Sequence, residues 1–185
     1  MLKKSIFAAL FIFALLFQGC SQEDKIMEAN EMISVNEYVL TDLNASQHIV
    51  KKEANGFILE NADGKLVIFD IFATWCPPCK AAASHLSSLQ EKYKDDLIVI
   101  GITIEDDILN EKLQEFRKAY NANYTLVNSA QNRRLVDAIA SELKLGERFP
   151  IPLMAMYKDG KLVNHYLGAI QEEFIESDIK KALGK

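Results

Sequence analysis

The residues best suited to chemistry in this sequence are two cysteines three positions apart, Cys76 and Cys79, with Pro77 and Pro78 between them. Such a pair could act as a structural crosslink, as half of a metal site or as a reversible redox couple. A disulfide here would close so short a loop that it could stabilise the fold only slightly. A zinc site needs further ligands, yet the chain has no second Cys-x-x-Cys and only three histidines. The spacing therefore favours a redox-active disulfide without a metal.

The residues around the pair predict where it lies in the fold. Residues 64–73 (GKLVIFDIFA) are almost continuously apolar, which is typical of a strand buried on both faces. A helix is predicted from Cys76 to about Tyr93. The first cysteine would then lie at the helix N-terminus, where free N–H groups and the helix dipole stabilise a thiolate. Cys79 would lie about one turn further on, within reach of the first sulfur.

The rest of the chain alternates between strand and helix patterns. Asn55-Gly56 lies between two short β-like runs and predicts an N-terminal β-hairpin. Alternating strands and helices predict an α/β fold, with a central mixed sheet flanked by helices. Further strands are predicted at 96–104, 124–128 and, as a strand pair, 152–168, and further helices at 106–120, 131–143 and 172–183.

The composition limits the class of protein. The chain has 185 residues, of which 49% are hydrophobic and 25% charged, as in a globular protein with one domain and a leader. Its formal net charge of −5 and the absence of a Lys/Arg cluster argue against nucleic acid as a partner.

The N-terminus has the pattern of an export signal. Lys3 and Lys4 precede an unbroken apolar run at 6–17, which is too short to span a bilayer comfortably. A small residue and then Cys20 follow, and this resembles a bacterial lipobox. We expect cleavage before Cys20 and lipid attachment to its sulfur. A plain signal peptide with a stray cysteine, or an uncut anchor, remains open as an alternative. Lipidation would leave the other two cysteines as an isolated pair outside the cytoplasm.

The segment FDIFATWCPPCK resembles the active-site segment of thioredoxin-like proteins of the TlpA/ResA type, which include membrane-tethered thiol-disulfide oxidoreductases of bacterial envelopes. The resemblance is most specific at 69–80. It implies a thioredoxin-like fold with a helix and strand of the TlpA type inserted between Glu105 and Pro152. The predicted division is a lipoprotein signal peptide at 1–19, a tether at 20–35 and a thioredoxin-like domain at 36–185.

The resemblance also implies a substrate-binding surface around the cysteines. Pro152 matches the position of a cis-proline that faces the redox pair, and Pro150 is the alternative. Ile151 and Trp75 would contact substrate, together with the two prolines between the cysteines. The other interpretation of Trp75 is ordinary core.

The family resemblance assigns proton transfer to two acidic residues, Asp70 and Glu105. Asp70 lies six residues before Cys76 and matches a buried acid that carries a proton for the second cysteine. An aspartate that faces outward is the other interpretation. Glu105 resembles an acidic position near the site in some relatives and is a candidate proton relay. Ala82 stands where many relatives have an acid.

The prolines between the cysteines bear on the direction of electron flow. Pro77 and Pro78 carry no N–H, so two possible donors to the Cys76 thiolate are missing. The pKa of Cys76 should therefore stay higher and the dithiol should be more reducing. Ile151 before the cis-proline also resembles reducing thioredoxins. These features predict a reductase whose only redox group is the Cys76–Cys79 disulfide.

The resemblance implies partners that the residues alone do not identify. Clients would be protein thiols and disulfides, with apocytochrome c as a plausible client. Electrons would come from a membrane carrier of the DsbD/CcdA type, and the protein would lie on the periplasmic side of the bacterial envelope, anchored through Cys20. An oxidase or isomerase that uses the same site, and a partner-binding lipoprotein without enzymatic activity, remain as alternatives.

Overall fold

The computed structural model describes residues 36–185. The signal peptide predicted at 1–19, the predicted lipidation site Cys20 and the tether predicted at 20–35 lie outside the described residues. Within 36–185, none of the helices combines the length and the apolar character that crossing a bilayer would require.

The described residues form eight strands and four helices in an order that follows the predicted alternation. The strands are β1 (Glu37–Thr41), β2 (Gln47–Glu53), β3 (Gly56–Leu59), β4 (Leu66–Phe72), β5 (Leu97–Thr103), β6 (Thr125–Val127), β7 (Leu153–Lys158) and β8 (Lys161–Leu167). The helices are α1 (Pro77–Lys92), α2 (Asn110–Tyr120), α3 (Asn132–Glu142) and α4 (Glu172–Leu183).

Two sheets organise these elements. β1, β2 and β3 form an antiparallel sheet that contains the predicted hairpin. The other five strands form a mixed sheet in the order β6-β5-β4-β7-β8, in which β4, β5 and β6 run parallel and β7 and β8 pair antiparallel. The predicted α/β fold, with a mixed central sheet and an N-terminal hairpin, is confirmed.

The hairpin turn needs its glycine. Gly56 has a φ of 149°, and a Cβ atom at this position would lie 2.6 Å from the carbonyl oxygen of Gly160 in the β7–β8 turn. The two turns therefore touch through backbone, and a side chain at Gly56 would separate them.

β4 lies at the centre of the large sheet, and all seven of its residues are buried. Ile68 and Phe72 pack with residues of α1, α2 and α4 on one face. Phe69 and Ile71 pack with α3 and the small sheet on the other face. This confirms the prediction of a strand buried on both faces. Because β4 is the central strand, the residues that follow it lie at the middle of the sheet, beyond the carboxyl end of β4.

The helix predicted over 106–120 starts later than the apolar spacing suggested. Asp107 has a φ of 55°, and Leu109 is extended at φ −75° and ψ 143°, so the first helical residue is Asn110. A left-handed residue interrupts helical hydrogen bonding, which the spacing of apolar side chains does not report. α2 leads into β6, which adds a parallel edge strand beside β5.

Candidate active site

The redox pair lies at the N-terminus of α1, as the sequence predicts. Cys76 and Cys79 are joined by a disulfide with their Cα atoms 5.3 Å apart. Cys76 is the N-cap residue, with an extended backbone at φ −81° and ψ 113°, and Pro77 and Pro78 open the helix. The N–H of Cys79 donates to the sulfur of Cys76 at 3.3 Å. Because the prolines have no N–H, this is the first helical amide that can stabilise charge on that sulfur.

Exposure differs sharply along the active-site loop. Both cysteines are 2% exposed, whereas the side chain of Trp75, which directly precedes Cys76, is 63% exposed. The interpretation of Trp75 as ordinary core is therefore wrong. An exposed indole next to a covered disulfide is available to a partner, and its role in substrate binding stays a prediction.

The other side of the disulfide is formed by the segment that enters β7. The peptide bond between Ile151 and Pro152 is cis, as predicted, whereas the bond to Pro150 is not. The carbonyl oxygen of Ile151 lies 3.7 Å from the sulfur of Cys76. The carbonyl oxygen of Pro152 accepts a hydrogen bond from the N–H of Gly168 at 2.8 Å. The roles of Ile151 and Pro152 in substrate binding stay predictions.

Glu105, the predicted proton relay, is engaged by the loop between β4 and α1. The N–H of Thr74 donates to Oε2 of Glu105 at 2.5 Å, and the hydroxyl of Thr74 donates to Oε1 at 3.0 Å. The hydroxyl of Thr103 lies 3.4 Å from Oε2. These contacts hold the residue two positions before Cys76, so they indicate that Glu105 positions the loop. A relay role stays a prediction.

Asp70 is buried in the sheet, and the interpretation that it faces outward is wrong. The residue is 2% exposed. Its Oδ2 accepts a hydrogen bond from the phenol of Tyr124 at 2.9 Å, and its Oδ1 has no hydrogen-bond partner within residues 36–185. Burial raises the pKa of Asp70 from 3.8 to about 7, and the hydrogen bond from Tyr124 opposes the rise. Its neighbours at alternate positions on β4, Ile68 and Phe72, belong to the same cluster as both cysteines.

Two residues at this site, Tyr124 and Gly101, were missed by the sequence analysis. Gly101 pairs with Asp70 across β4 and β5. A Cβ atom at Gly101 would lie 2.8 Å from Cε2 of Tyr124 and 2.6 Å from Cδ2 of Leu126. The missing side chain leaves room for the tyrosine ring to cross β5. A lone glycine inside an apolar strand is a recognised sign of close approach, but no local pattern singles out Tyr124.

Comparison with known proteins agrees with this geometry. The model of the redoxin family matches residues 40–183. The chain belongs to the redoxin family. This redoxin is 25% identical over 167 residues to the thiol-disulfide oxidoreductase ResA of Bacillus cereus, which covers 90% of the chain and 85% of ResA. It is 39% identical over 90 residues to thioredoxin-1 of Drosophila melanogaster, which covers 47% of the chain and 78% of that protein.

Solved structures show the same fold. A thiol:disulfide interchange protein of the thioredoxin family from Chlorobium tepidum superposes with a TM-score of 0.63 at 17% identity, covering 80% of this redoxin and 94% of that chain. A secreted disulfide oxidoreductase from Mycobacterium tuberculosis gives 0.55 at 20% identity, covering 80% and 98%. The resemblance to thioredoxin-like proteins of the TlpA/ResA type is confirmed by the family match and the ResA relatives, and this redoxin is a thiol-disulfide oxidoreductase.

The geometry gives this redoxin what thiol–disulfide exchange requires. Cys76 lies at a helix N-terminus with one amide aimed at its sulfur, and Cys79 lies one turn away in bonding position. The buried carboxyl of Asp70 lies on the same face of β4 as Ile68 and Phe72, which pack in one cluster with both cysteines. Within residues 36–185, no group of three or more His, Cys, Asp or Glu side chains is arranged to hold a metal ion.

Proposed function

We propose that this redoxin is a membrane-anchored, extracytoplasmic reductase of protein disulfides. The observation that carries the proposal is the amide of Cys79 aimed at the sulfur of Cys76, at a helix N-terminus that begins with two prolines. One amide and the helix dipole favour the thiolate that attacks a disulfide. The two missing amides keep that stabilisation modest, as a reducing dithiol requires.

The reaction proceeds by two exchanges of sulfur bonds. The thiolate of Cys76 attacks one sulfur of a client disulfide, and the other client sulfur leaves as a thiolate that takes up a proton. The thiol of Cys79 then gives its proton to Asp70 and attacks the sulfur of Cys76. The mixed disulfide breaks, the second client sulfur leaves as a thiolate that takes up a proton, and Cys76 and Cys79 end as a disulfide. The client gains two electrons, which the protein dithiol loses.

Asp70 is proposed as the acceptor of the proton from Cys79. With its pKa raised to about 7 by burial, this carboxyl can both take up and release a proton near neutral pH. The other oxygen, Oδ1, is buried and makes no hydrogen bond to any of the described residues, so it has the capacity to accept one. Glu105 has both oxygens engaged by Thr74, and this favours a positioning role for it.

A second observation supports the direction of electron flow. The carbonyl oxygen of Ile151 lies 3.7 Å from the sulfur of Cys76. A carbonyl oxygen carries partial negative charge, so it disfavours a thiolate at this distance. Together with the two missing amides, it favours a higher pKa for Cys76 and a more reducing pair.

The location and partners are inferred from the sequence pattern. Cys20 after the apolar run at 6–17 supports a lipid anchor, with the catalytic domain on the periplasmic side of the bacterial envelope. A reductase outside the cytoplasm needs electrons from a membrane carrier, for which the DsbD/CcdA type is proposed. A fitting client is apocytochrome c, whose Cys-x-x-Cys-His must be reduced before haem attachment.

The deciding experiment is a redox titration of Cys76 and Cys79 against glutathione. A reductase should give a potential below about −200 mV, whereas a value near −120 mV would indicate an oxidase. A pair that never equilibrates with thiols would support a binding protein instead.

Two variants test the client and the anchor separately. Cys79→Ser should accumulate mixed disulfides through Cys76 that mass spectrometry can identify, because the resolving thiol is gone. Cys76→Ser is the matched control and should trap none. Cys20→Ser should move the protein from the membrane fraction to the soluble fraction, and continued membrane association would contradict the lipid anchor.

A further inference from the structure

Asp70 has one hydrogen-bond donor among the described residues, and that donor comes from a distant part of the chain. The phenol of Tyr124 donates to Oδ2 at 2.9 Å, and Oδ1 is buried without a partner. Tyr124 is itself 5% exposed and directly precedes β6. The contact therefore joins the strand that leads to the cysteines to the segment between α2 and β6.

The surrounding backbone is adapted to this contact. The ring of Tyr124 crosses β5 at Gly101, the residue that pairs with Asp70, where any Cβ atom would approach Cε2 of the ring to 2.8 Å. The side chain of Arg117 donates to the carbonyl oxygen of Tyr124 at 3.3 Å and holds its backbone. Asp70 of β4, Gly101 of β5 and Arg117 of α2 together determine the direction of the Tyr124 phenol.

At physiological pH the phenol of Tyr124 keeps its proton and therefore acts as the donor to Asp70. Burial and the neighbouring carboxyl raise the pKa of Tyr124 well above 10, so it keeps its proton throughout the working range. On the neighbouring strands Asp70 pairs with Gly101 of β5 and Met154 of β7, neither of which titrates. Met154 packs in the same cluster as Cys76 and Cys79, which do not titrate while they are bonded. On α2, the charge of Arg117 acts on Tyr124.

We propose that Tyr124 is a positioning residue for the proton-transfer step, because its phenol occupies Oδ2 of Asp70 and leaves Oδ1 as the oxygen that exchanges a proton with Cys79. This inference rests on the proposed function, in which Asp70 accepts that proton. A donor on Oδ2 favours the carboxylate over the neutral acid. Without it, Asp70 should hold its proton to higher pH and be a poorer acceptor at pH 7.

The direct test is a ¹³C NMR titration of the Asp70 carboxyl in the oxidised protein, in which neither cysteine titrates. Asp70→Asn assigns the signal. Tyr124→Phe should move the midpoint upward by about one to two pH units, the usual worth of a hydrogen bond to a charged group. An unchanged midpoint would overturn the inference.

Tyr157→Phe is the matched control. Tyr157 is also buried and also donates its phenol to a carboxyl, Oε1 of Glu142 at 3.2 Å, but it packs on the opposite face of the sheet. This variant should leave the Asp70 midpoint where it is in the unmodified protein. If Tyr157→Phe shifts the midpoint as far as Tyr124→Phe does, the effect is general loosening and the inference fails.

A second variant covers the case in which Tyr124→Phe does not fold. Replacing Tyr124 with 3-fluorotyrosine keeps the ring and the hydroxyl but makes the phenol a stronger donor, so the midpoint should move downward. An upward shift or no shift would contradict the inference.

Stopped-flow measurement of the step resolved by Cys79 separates this inference from the proposed function. If Tyr124→Phe raises the NMR midpoint and the pH midpoint of the rate together, both proposals stand. If the pH midpoint of the resolving rate in the unmodified protein equals the pH midpoint of the Asp70 NMR signal, and Tyr124→Phe shifts neither midpoint, only the proposed role of Tyr124 is contradicted. If the NMR midpoint rises while the rate profile stays fixed, Asp70 is not the proton acceptor and both fail.

Discussion

The two ends of α1 each depend on a carboxyl group, and the two carboxyls are in opposite electrostatic states. At the C-terminal end, Glu176 of α4 accepts a hydrogen bond from the phenol of Tyr93 at 2.7 Å. It also forms ion pairs with Lys92 and Lys180, each at 2.8 Å. These partners lower the pKa of Glu176 to about 2. Near the N-terminal end, Asp70 has a single hydrogen-bond donor in the described part of the chain, the neutral phenol of Tyr124, and burial raises the pKa of Asp70 to about 7.

The difference shows how one chemical group is used in two ways. A carboxylate with two cationic partners stays charged over the whole physiological range, so it can tie α4 to α1 but cannot exchange protons. A buried carboxyl without a cation is close to half-protonated at neutral pH, so it is suited to proton transfer and unfavourable to the fold. The end of α1 that carries the disulfide is therefore the end where stability is given up.

The largest expected effect is on the pH dependence of stability. Because the folded pKa of Asp70 lies above the unfolded value, its neutral form is favoured in the fold, and stability falls as pH rises from about 4 to about 7. Asp70→Asn removes this loss. The free energy of unfolding of Asp70→Asn, relative to the unmodified protein, should rise by about 4 kcal/mol between pH 4 and pH 8.

Urea denaturation of both proteins, in the oxidised form at the two pH values, measures this difference. Comparing the variant with the unmodified protein cancels the titration of other carboxyls such as Glu176. A difference that stays constant with pH would mean that Asp70 does not titrate in the folded protein.

The next largest effect concerns the reaction. Asp70→Asn should slow the resolving step of Cys79 roughly 10²-fold at pH 7, the usual contribution of a general base. The initial attack by Cys76 should keep its rate, because that step needs no proton from Cys79. Rapid mixing with a chromogenic disulfide separates the two steps. Equal slowing of both steps would point to damage at Cys76, and unchanged rates would make Asp70 structural.

Much of this site follows from local sequence. The buried strand and the start of α1 each depend on patterns within a few residues: an apolar run, and prolines after an N-cap. Such patterns predict the disulfide and its helix because short-range sterics and hydrogen bonding determine them. The cis bond before Pro152 is predicted instead from the resemblance to TlpA/ResA-type proteins.

The partner of Asp70 could not be predicted in the same way. Tyr124 lies 54 residues from Asp70, and the two meet only because β6 pairs with β5 and Gly101 leaves a gap between them. The contacts of Glu105 with Thr74 span 31 residues and depend equally on tertiary packing. Long-range pairs of polar side chains leave no periodic pattern, so the sequence identified the acids but not their hydrogen-bond partners.

A smaller effect is expected at Glu105. Its contacts with Thr74 are intermediate between the single neutral donor of Asp70 and the two cationic partners of Glu176. Glu105→Gln can keep the bond from the hydroxyl of Thr74, but its amide NH₂ would face the N–H of Thr74 in place of Oε2. The loop before Cys76 should loosen, and the exchange rate should fall about threefold to tenfold, since a bond to a charged acceptor is lost. The pH midpoint of the rate should stay fixed, and a shifted midpoint would favour the relay role instead.

The smallest effect is expected at the C-terminal end of α1. Glu176→Gln should leave the exchange rate and its pH midpoint unchanged, because Glu176 ties α1 to α4 far from the disulfide. The folded pKa of Glu176 is depressed, so its stabilisation is present above about 4.5 and is lost as pH falls towards 2. Thermal melts should show a slightly lower Tm for the variant at pH 7 and a smaller gap at pH 2 or in high salt, because exposed ion pairs are weak and screened. A large change in exchange rate would mean that the two ends of α1 are coupled and would break the division of roles between Asp70 and Glu176.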